Sequence, residues 1–360
     1  MKKMTGARAH WARFKPLEGH GRIVTSASFR GLRRELLSYC ERVVRSTRRD
    51  LEKRYGWDLR RLDCMFLDSE EVDALLTRDG ERHGIFIKVG LAFRVYAFVS
   101  DALADPRVLT KYLSNAGVKD MVKPPPTHRV PRADPARELA FRRTRLNAER
   151  REWLFRYLGM IIEHCYLHEA AHALRGHLLY LQREGSPTFL SERYPLKMSR
   201  DARARHVEID ADLHALDMWF DITEPDVPAR KVLQLDLLFQ KLFTILLLHQ
   251  VFDEEAAPIA KDQLTDHPPP IHRAIYLTSN LAALAQRRFG LGRKATENVR
   301  YQAWWEASLV ASQSGLAKHR WWGGASRQGW ATYTQTVRRH TQRVEGKLDA
   351  FVEGLPDDLV

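Results

Sequence analysis

The sequence predicts a mainly α protein with a small β-sheet, an α+β chain. Three observations carry that prediction. Long stretches keep apolar residues at helical spacing, as in Leu32, Leu36, Cys40, Val43, Thr47 and Leu51. Two more, Trp153 to Leu181 and Leu233 to Phe252, are apolar enough for buried helices. Against them stands one β-rich run, Ile85-Phe86-Ile87-Lys88-Val89, a few residues after the turn signal Asp79-Gly80.

The totals fit a globular chain. Its 360 residues suffice for one large domain or two ordinary ones, and 44% hydrophobic with 29% charged residues allows a sizeable core. Three irregularly spaced cysteines make neither a disulfide framework nor a cysteine-based zinc site, so a reducing compartment is expected. The start, Met1 to Gly6, is basic with no apolar segment behind it, so no secretory signal is expected. Leu233 to Phe252 carries Gln234, Asp236, Gln240, Lys241 and His249 and reads as a buried helix, not a membrane span. A cytoplasmic location follows as the expectation. The net charge of +13 favours acidic partners, nucleic acid included, without marking a site.

Taken in order, residues 1–60 read as an N-terminal arm followed by a basic amphipathic helix. Residues 1–24 form the extended arm, and Ser26 or Ser28 caps a helix from Phe29 to Tyr55 that Gly56 ends. Arg33, Arg34, Arg42, Arg45, Arg48 and Arg49 crowd its outer face, either against an acidic partner or simply in solvent. Residues 61–120 hold the strand, broken by Gly90, and a helix from Leu91 to Leu103. Residues 121–150 are a Pro-rich basic linker, with Lys123-Pro124-Pro125-Pro126, Pro131 and Pro135, and helix resuming near Ala136. Residues 151–288 form a helical core with helices at about 151–183, 203–220, 229–252 and 271–288. Thr188 to Arg200 reads as irregular. Residues 289–360 are Trp-rich. Trp304, Trp305, Trp321, Trp322 and Trp330 lie among Lys318, His319, Arg320 and Arg327, with a last helix from Thr334 to Val352. Such tryptophans either pack a helix onto the body or stack on single-stranded nucleic acid.

The stretch that carries chemistry runs from His164 to His177. It contains His168-Glu169-x-x-His172, an H-E-x-x-H motif. Residues four apart share one face of a helix. Two imidazoles there can bind one Zn²⁺ at about 2.0–2.1 Å. Glu169 leaves the same part of the helix and can take a proton from a water and pass it to a leaving amine. A polar face on so apolar a helix is costly unless something satisfies it, and a metal does.

Two further stretches extend the pattern. In Glu208-Ile209-Asp210-Ala211-Asp212-Leu213-His214-Ala215, Glu208 and Asp212 are one helical turn apart. Glu208 can supply the third protein ligand of a tetrahedral zinc. Asp212 can accept a hydrogen bond from the far nitrogen of a ligand histidine. His267-Pro268-Pro269-Pro270-Ile271-His272-Arg273 then precedes an apolar helix.

In order, H-E-x-x-H-x-x-x-G-H, E-x-x-A-D-x-x-A and H-P-x-x-x-x-R resemble gluzincins of the HtpX and prenyl-protein peptidase type. The first two are also similar to the soluble ImmA/IrrE-type metallopeptidases and the Lit-type phage-exclusion peptidase. The resemblance covers roughly residues 160–280. It implies a zincin-like core and Zn²⁺ as cofactor, with His168, His172 and Glu208 as ligands and Glu169 as general base. Asp212 would stand behind a ligand, and His267 and Arg273 would close the cleft or orient the ligands. Membrane-bound members carry transmembrane helices; none is expected here, so the soluble branch is nearer. Zincins run a strand along the active-site cleft, and Ile85–Val89 is either that strand, open to a substrate edge, or an ordinary sheet strand.

A metzincin arrangement would need Gly at position 175 and His at 178, where this chain has Arg175 and Leu178. Gly176 and His177 are each one place off, so a third histidine ligand from this helix is not expected. His164 reads as a surface residue or one behind the ligands. The expected activity is a zinc-dependent endopeptidase acting on a protein or peptide. The alternative is a nucleic-acid-binding or regulatory protein whose metal site is structural.

Overall fold

The computed structural model describes residues 6–14, 17, 19–113, 142–143, 145–183, 189–191, 202–223, 229–255 and 270–314. The chain is mostly helical with a small mixed sheet, as the sequence predicts. The Pro-rich segment up to residue 141, His267, Trp321, Trp322, Trp330 and the expected last helix lie outside the described residues.

The N-terminal arm is not simply extended. It forms a short helix, α1 (Ala7–Trp11), and a strand, β1 (Ile23–Val24). Trp11 is the reason: its indole is buried and its Nε1–H donates to Asp63 Oδ2 at 2.8 Å. Helix α2 (Gly31–Tyr55) buries Leu36, Leu37, Cys40, Val44, Thr47 and Leu51 along one stripe. Gly56 closes it in the left-handed region, its N–H returning to Glu52 O. Neither Ser26 nor Ser28 caps α2. Both sit in a 3₁₀ turn ahead of it, where the Ser26 N–H and hydroxyl donate to the two oxygens of Glu41 at 2.9 and 2.8 Å.

Strands β2 (Leu62–Leu67), β3 (Ala74–Asp79), β4 (Arg82–Lys88) and β5 (Phe189–Ser191) complete a sheet of order β1-β2-β4-β3-β5. β2 and β4 run parallel, Cys64 opposite Ile85; the other pairs are antiparallel. β4 therefore lies inside the sheet with a neighbour on each side. The expectation that it offers a free edge to a substrate fails, because both its rows of backbone groups are already paired. Among the described residues the outer strands are β1 and β5. One sheet face joins the main core through Leu62, Phe66, Leu76, Ile85 and Ile87. The other, with Met65, Leu67, Leu75 and Phe86, is covered by Trp11 and Leu17. Period-2 burial on both faces explains why β4 reads as a nearly continuous apolar run.

Helix α3 (Val89–Ala104) begins directly where β4 ends, so Gly90 lies in its first turn and does not separate the two. Helix α4 (Ala148–Leu174) runs through the centre of the molecule. Asn147 starts it, its side-chain oxygen accepting from the Arg150 N–H at 2.8 Å. The single helix expected to about residue 183 is in fact two. Gly176 takes φ +63, a left-handed conformation that interrupts the ladder, and α5 (His177–Arg183) begins after it. Helices α6 (Ala202–Thr223), α7 (Lys231–Glu255), α8 (Pro270–Phe289) and α9 (Arg293–Gln313) follow. α4 packs on α2, α3, α6 and α7, while α7, α8 and α9 pack on one another.

α7 is the one helix among the described residues long and apolar enough, by length and composition, to cross a membrane. In this fold its Leu238, Phe239, Leu242, Phe243, Leu246 and Val251 are buried. Trp304 is also buried against the core, whereas its neighbour Trp305 is 53% exposed.

Candidate metal centre

The last two turns of α4 carry His168, Glu169 and His172, all buried. α6 packs across them and brings in Glu208, also buried. His168 Nε2 and His172 Nε2 lie 3.0 Å apart. Glu208 Oε2 is 3.4 Å from His168 Nε2, and Oε1 is 3.5 Å from His172 Nε2. Tetrahedral ligands at about 2.0–2.1 Å from Zn²⁺ are about 3.3 Å from each other by geometry. The three donors match that spacing, and the two nitrogens and the carboxylate are a set that divalent metals take. This buried His-His-Glu cluster can hold a metal ion.

Each histidine is held from behind. His168 Nδ1 lies 3.0 Å from Asp212 Oδ1, one turn beyond Glu208 on α6. Arg273, from α8, makes two hydrogen bonds to the same carboxylate, Nε to Oδ2 at 2.8 Å and Nη2 to Oδ1 at 2.7 Å. Burial pushes the Asp212 carboxyl up. The Arg273 charge and the hydrogen bond with His168 outweigh it and hold Asp212 well below the usual carboxylate range.

His172 has different support. Its Nδ1 is 2.8 Å from His177 Nδ1, and His177 Nε2 is 3.0 Å from Asp210 Oδ2. Arg175 Nε donates to the same Asp210 oxygen at 2.9 Å. Burial pushes the His177 imidazole down to about 3, against the opposing pull of Asp210. Burial pushes the Asp210 carboxyl up, but the bonds from His177 and Arg175 prevail and keep it ionised.

His168, His172, Glu208, Asp212 and Arg273 thus meet in one region built from α4, α6 and α8, with Glu169 buried next to His168 along α4. His164 is neither at the surface nor part of the metal cluster. It is buried one turn earlier, its ring 5.1 Å from that of Trp219. His177 stands outside the three-donor cluster and touches His172. Arg175, His177 and Asp210 are the residues that sequence reasoning missed. The available signals were Gly176, which ends the helix and folds His177 back, and the second acid of Glu208-x-Asp210-x-Asp212.

A second buried polar group lies beyond His164. Trp219 Nε1–H donates to Glu163 Oε2 at 2.6 Å, and Lys241 Nζ stands 3.8 Å from the centre of the Trp219 ring. The basic face of α2 is partly neutralised within the fold, Arg48 pairing with Glu52 at 3.1 Å. Arg45 and Arg48 also line a cavity of about 420 Å³ with Arg8, Glu41 and Cys64.

No known protein family, curated protein or solved structure matches this chain.

Proposed function

We propose that the protein is a zinc-dependent endopeptidase with a zincin-like core. The observation that carries this reading is the convergence of three buried donors at zinc-like spacing beside Glu169. Two histidines and one carboxylate leave a fourth tetrahedral position for water, the arrangement of catalytic rather than structural zinc.

When bound, Zn²⁺ would lower the pKa of a water toward about 7 and stabilise negative charge on a peptide carbonyl oxygen. The chain's own residues do the rest. His168 and His172 present their Nε2 lone pairs, and Glu208 a carboxylate oxygen. Asp212, gripped by Arg273, accepts the Nδ1–H of His168 and so fixes which nitrogen faces the ion. Glu169 takes the proton of the attacking water and delivers it to the leaving nitrogen. The substrate is a protein or peptide.

The test pairs metal content with turnover of a mixed peptide library read by mass spectrometry. Wild type is expected to hold about one zinc per chain, as a single three-ligand site does, and to cleave. Glu169→Gln is expected to keep the zinc and lose cleavage by several orders of magnitude. Cleavage by Glu169→Gln at the wild-type rate would overturn the mechanism.

A further inference from the structure

We infer that His177 and Asp210 position His172, forming a relay that fixes its proton on Nδ1 and turns its Nε2 lone pair toward Glu208. The inference rests on the reading of the cluster as a zinc site. It assigns work to two residues that the H-E-x-x-H pattern does not contain.

The argument is one of donors and acceptors. Asp210 receives Arg175 Nε at 2.9 Å and Nη2 at 3.3 Å, and His214 Nδ1 lies 3.4 Å away. A carboxylate with such neighbours only accepts. His177 Nε2, 3.0 Å from it, must therefore carry the proton of that bond. Two Nδ1 atoms 2.8 Å apart share a single proton, and His172, whose Nε2 faces His168 and Glu208 as a metal donor, is the ring that carries it on Nδ1, so His177 Nδ1 accepts. The 2.8 Å contact between His177 Nδ1 and His172 Nδ1 then has one consistent assignment, with His172 Nδ1–H donating. That leaves His172 Nε2 bare, on the side where His168 and Glu208 stand.

The two ligand histidines are thus backed unequally. His168 donates straight to a carboxylate that an arginine pins. His172 donates to a neutral imidazole, with the carboxylate one ring further away. Partners behind a ligand histidine commonly set metal affinity by about 10–100-fold.

The experiment measures zinc affinity of the full chain by competition with a chromophoric chelator. His177→Phe keeps bulk but cannot accept, and should weaken zinc about 10–100-fold. His177→Gln can accept from His172 and donate to Asp210, and should recover most of that loss, which mere filling of space would not. Asp210→Asn gives a second reading should His177→Phe not fold, with the same direction expected. Nitrogen-15 spectra of the zinc-loaded wild type should show His172 protonated at Nδ1. Equal affinity in the folded variants, or a His172 proton on Nε2, would overturn the relay while leaving the zinc site intact. A folded wild type that binds no zinc would instead remove the zinc site, and the relay with it.

Discussion

Arg273 holds Asp212 through two hydrogen bonds, of 2.7 and 2.8 Å, between residues 61 positions apart in the chain. Both are buried, so neither charge has water to fall back on. Removing one partner of such a pair strands the other, at a cost of about 3–5 kcal/mol. Arg273→Ala should therefore lower the urea stability of the metal-free protein by that order. Arg273→Lys should recover only part, because an ammonium cannot make the parallel pair. Identical unfolding midpoints for wild type and Arg273→Ala would contradict the account.

Zinc and stability should move together. A ligand that binds only the folded state adds about 2.7 kcal/mol when its concentration is about 100 times Kd. Chelation is expected to lower the melting temperature of wild type, and added zinc to restore it. His168→Ala and Glu208→Ala should show no zinc-dependent shift in calorimetry, since each removes one of three donors.

Trp219 sits between the half-buried Glu163 and the buried Lys241. Burial pushes the Glu163 carboxyl up and the Lys241 ammonium down, and the charge of each draws the other back. Trp219→Phe removes the Nε1–H that Glu163 accepts and weakens the ring face under Lys241. Loss of one partner of a buried acceptor costs about 1–3 kcal/mol. Denaturant unfolding should show a destabilisation of that size, and no change would place the Glu163 charge elsewhere.

His83, near the start of β4, gives a pH signature away from the metal. Burial, with Arg78 nearby, pushes its imidazole down to about 4. Unfolded, it titrates near about 6.5. Between those values the unfolded chain binds a proton that the folded chain does not, so stability falls as pH falls. Above about 6.5 both states are neutral and His83 contributes no slope. His83→Gln should flatten the decline between about pH 6.5 and 4 in urea titrations. An unchanged slope would refute the assignment.

The parts of the site legible in the sequence are those set by spacing within one helix. His168 with His172, and Glu208 with Asp212, share faces because a helix repeats every 3.6 residues, about one turn per four positions. Arg273 was legible only through its place in a three-part pattern. The relay was not, because it depends on the turn at Gly176 and on which side of α6 meets α4. The sheet was legible in existence but not in order. Ile85 to Lys88 announces a strand, yet nothing local says that β2 and β3 flank it. The arm hid its helix because Trp11 is fixed by Asp63, 52 positions away.

One helix, α6, supplies Glu208 to both histidines, Asp212 to the first and Asp210 to the second. Glu208 and Asp212 share one face of that helix and Asp210 stands off it, so a slip of its register by one residue would misdirect all three. α8 closes the set from 105 positions beyond His168. Contacts so distant in sequence form late, after the loops between them have closed. During refolding, zinc capture should lag behind the appearance of helix and coincide with the docking of α6 and α8. The ion would then act as a clock for the last step of folding.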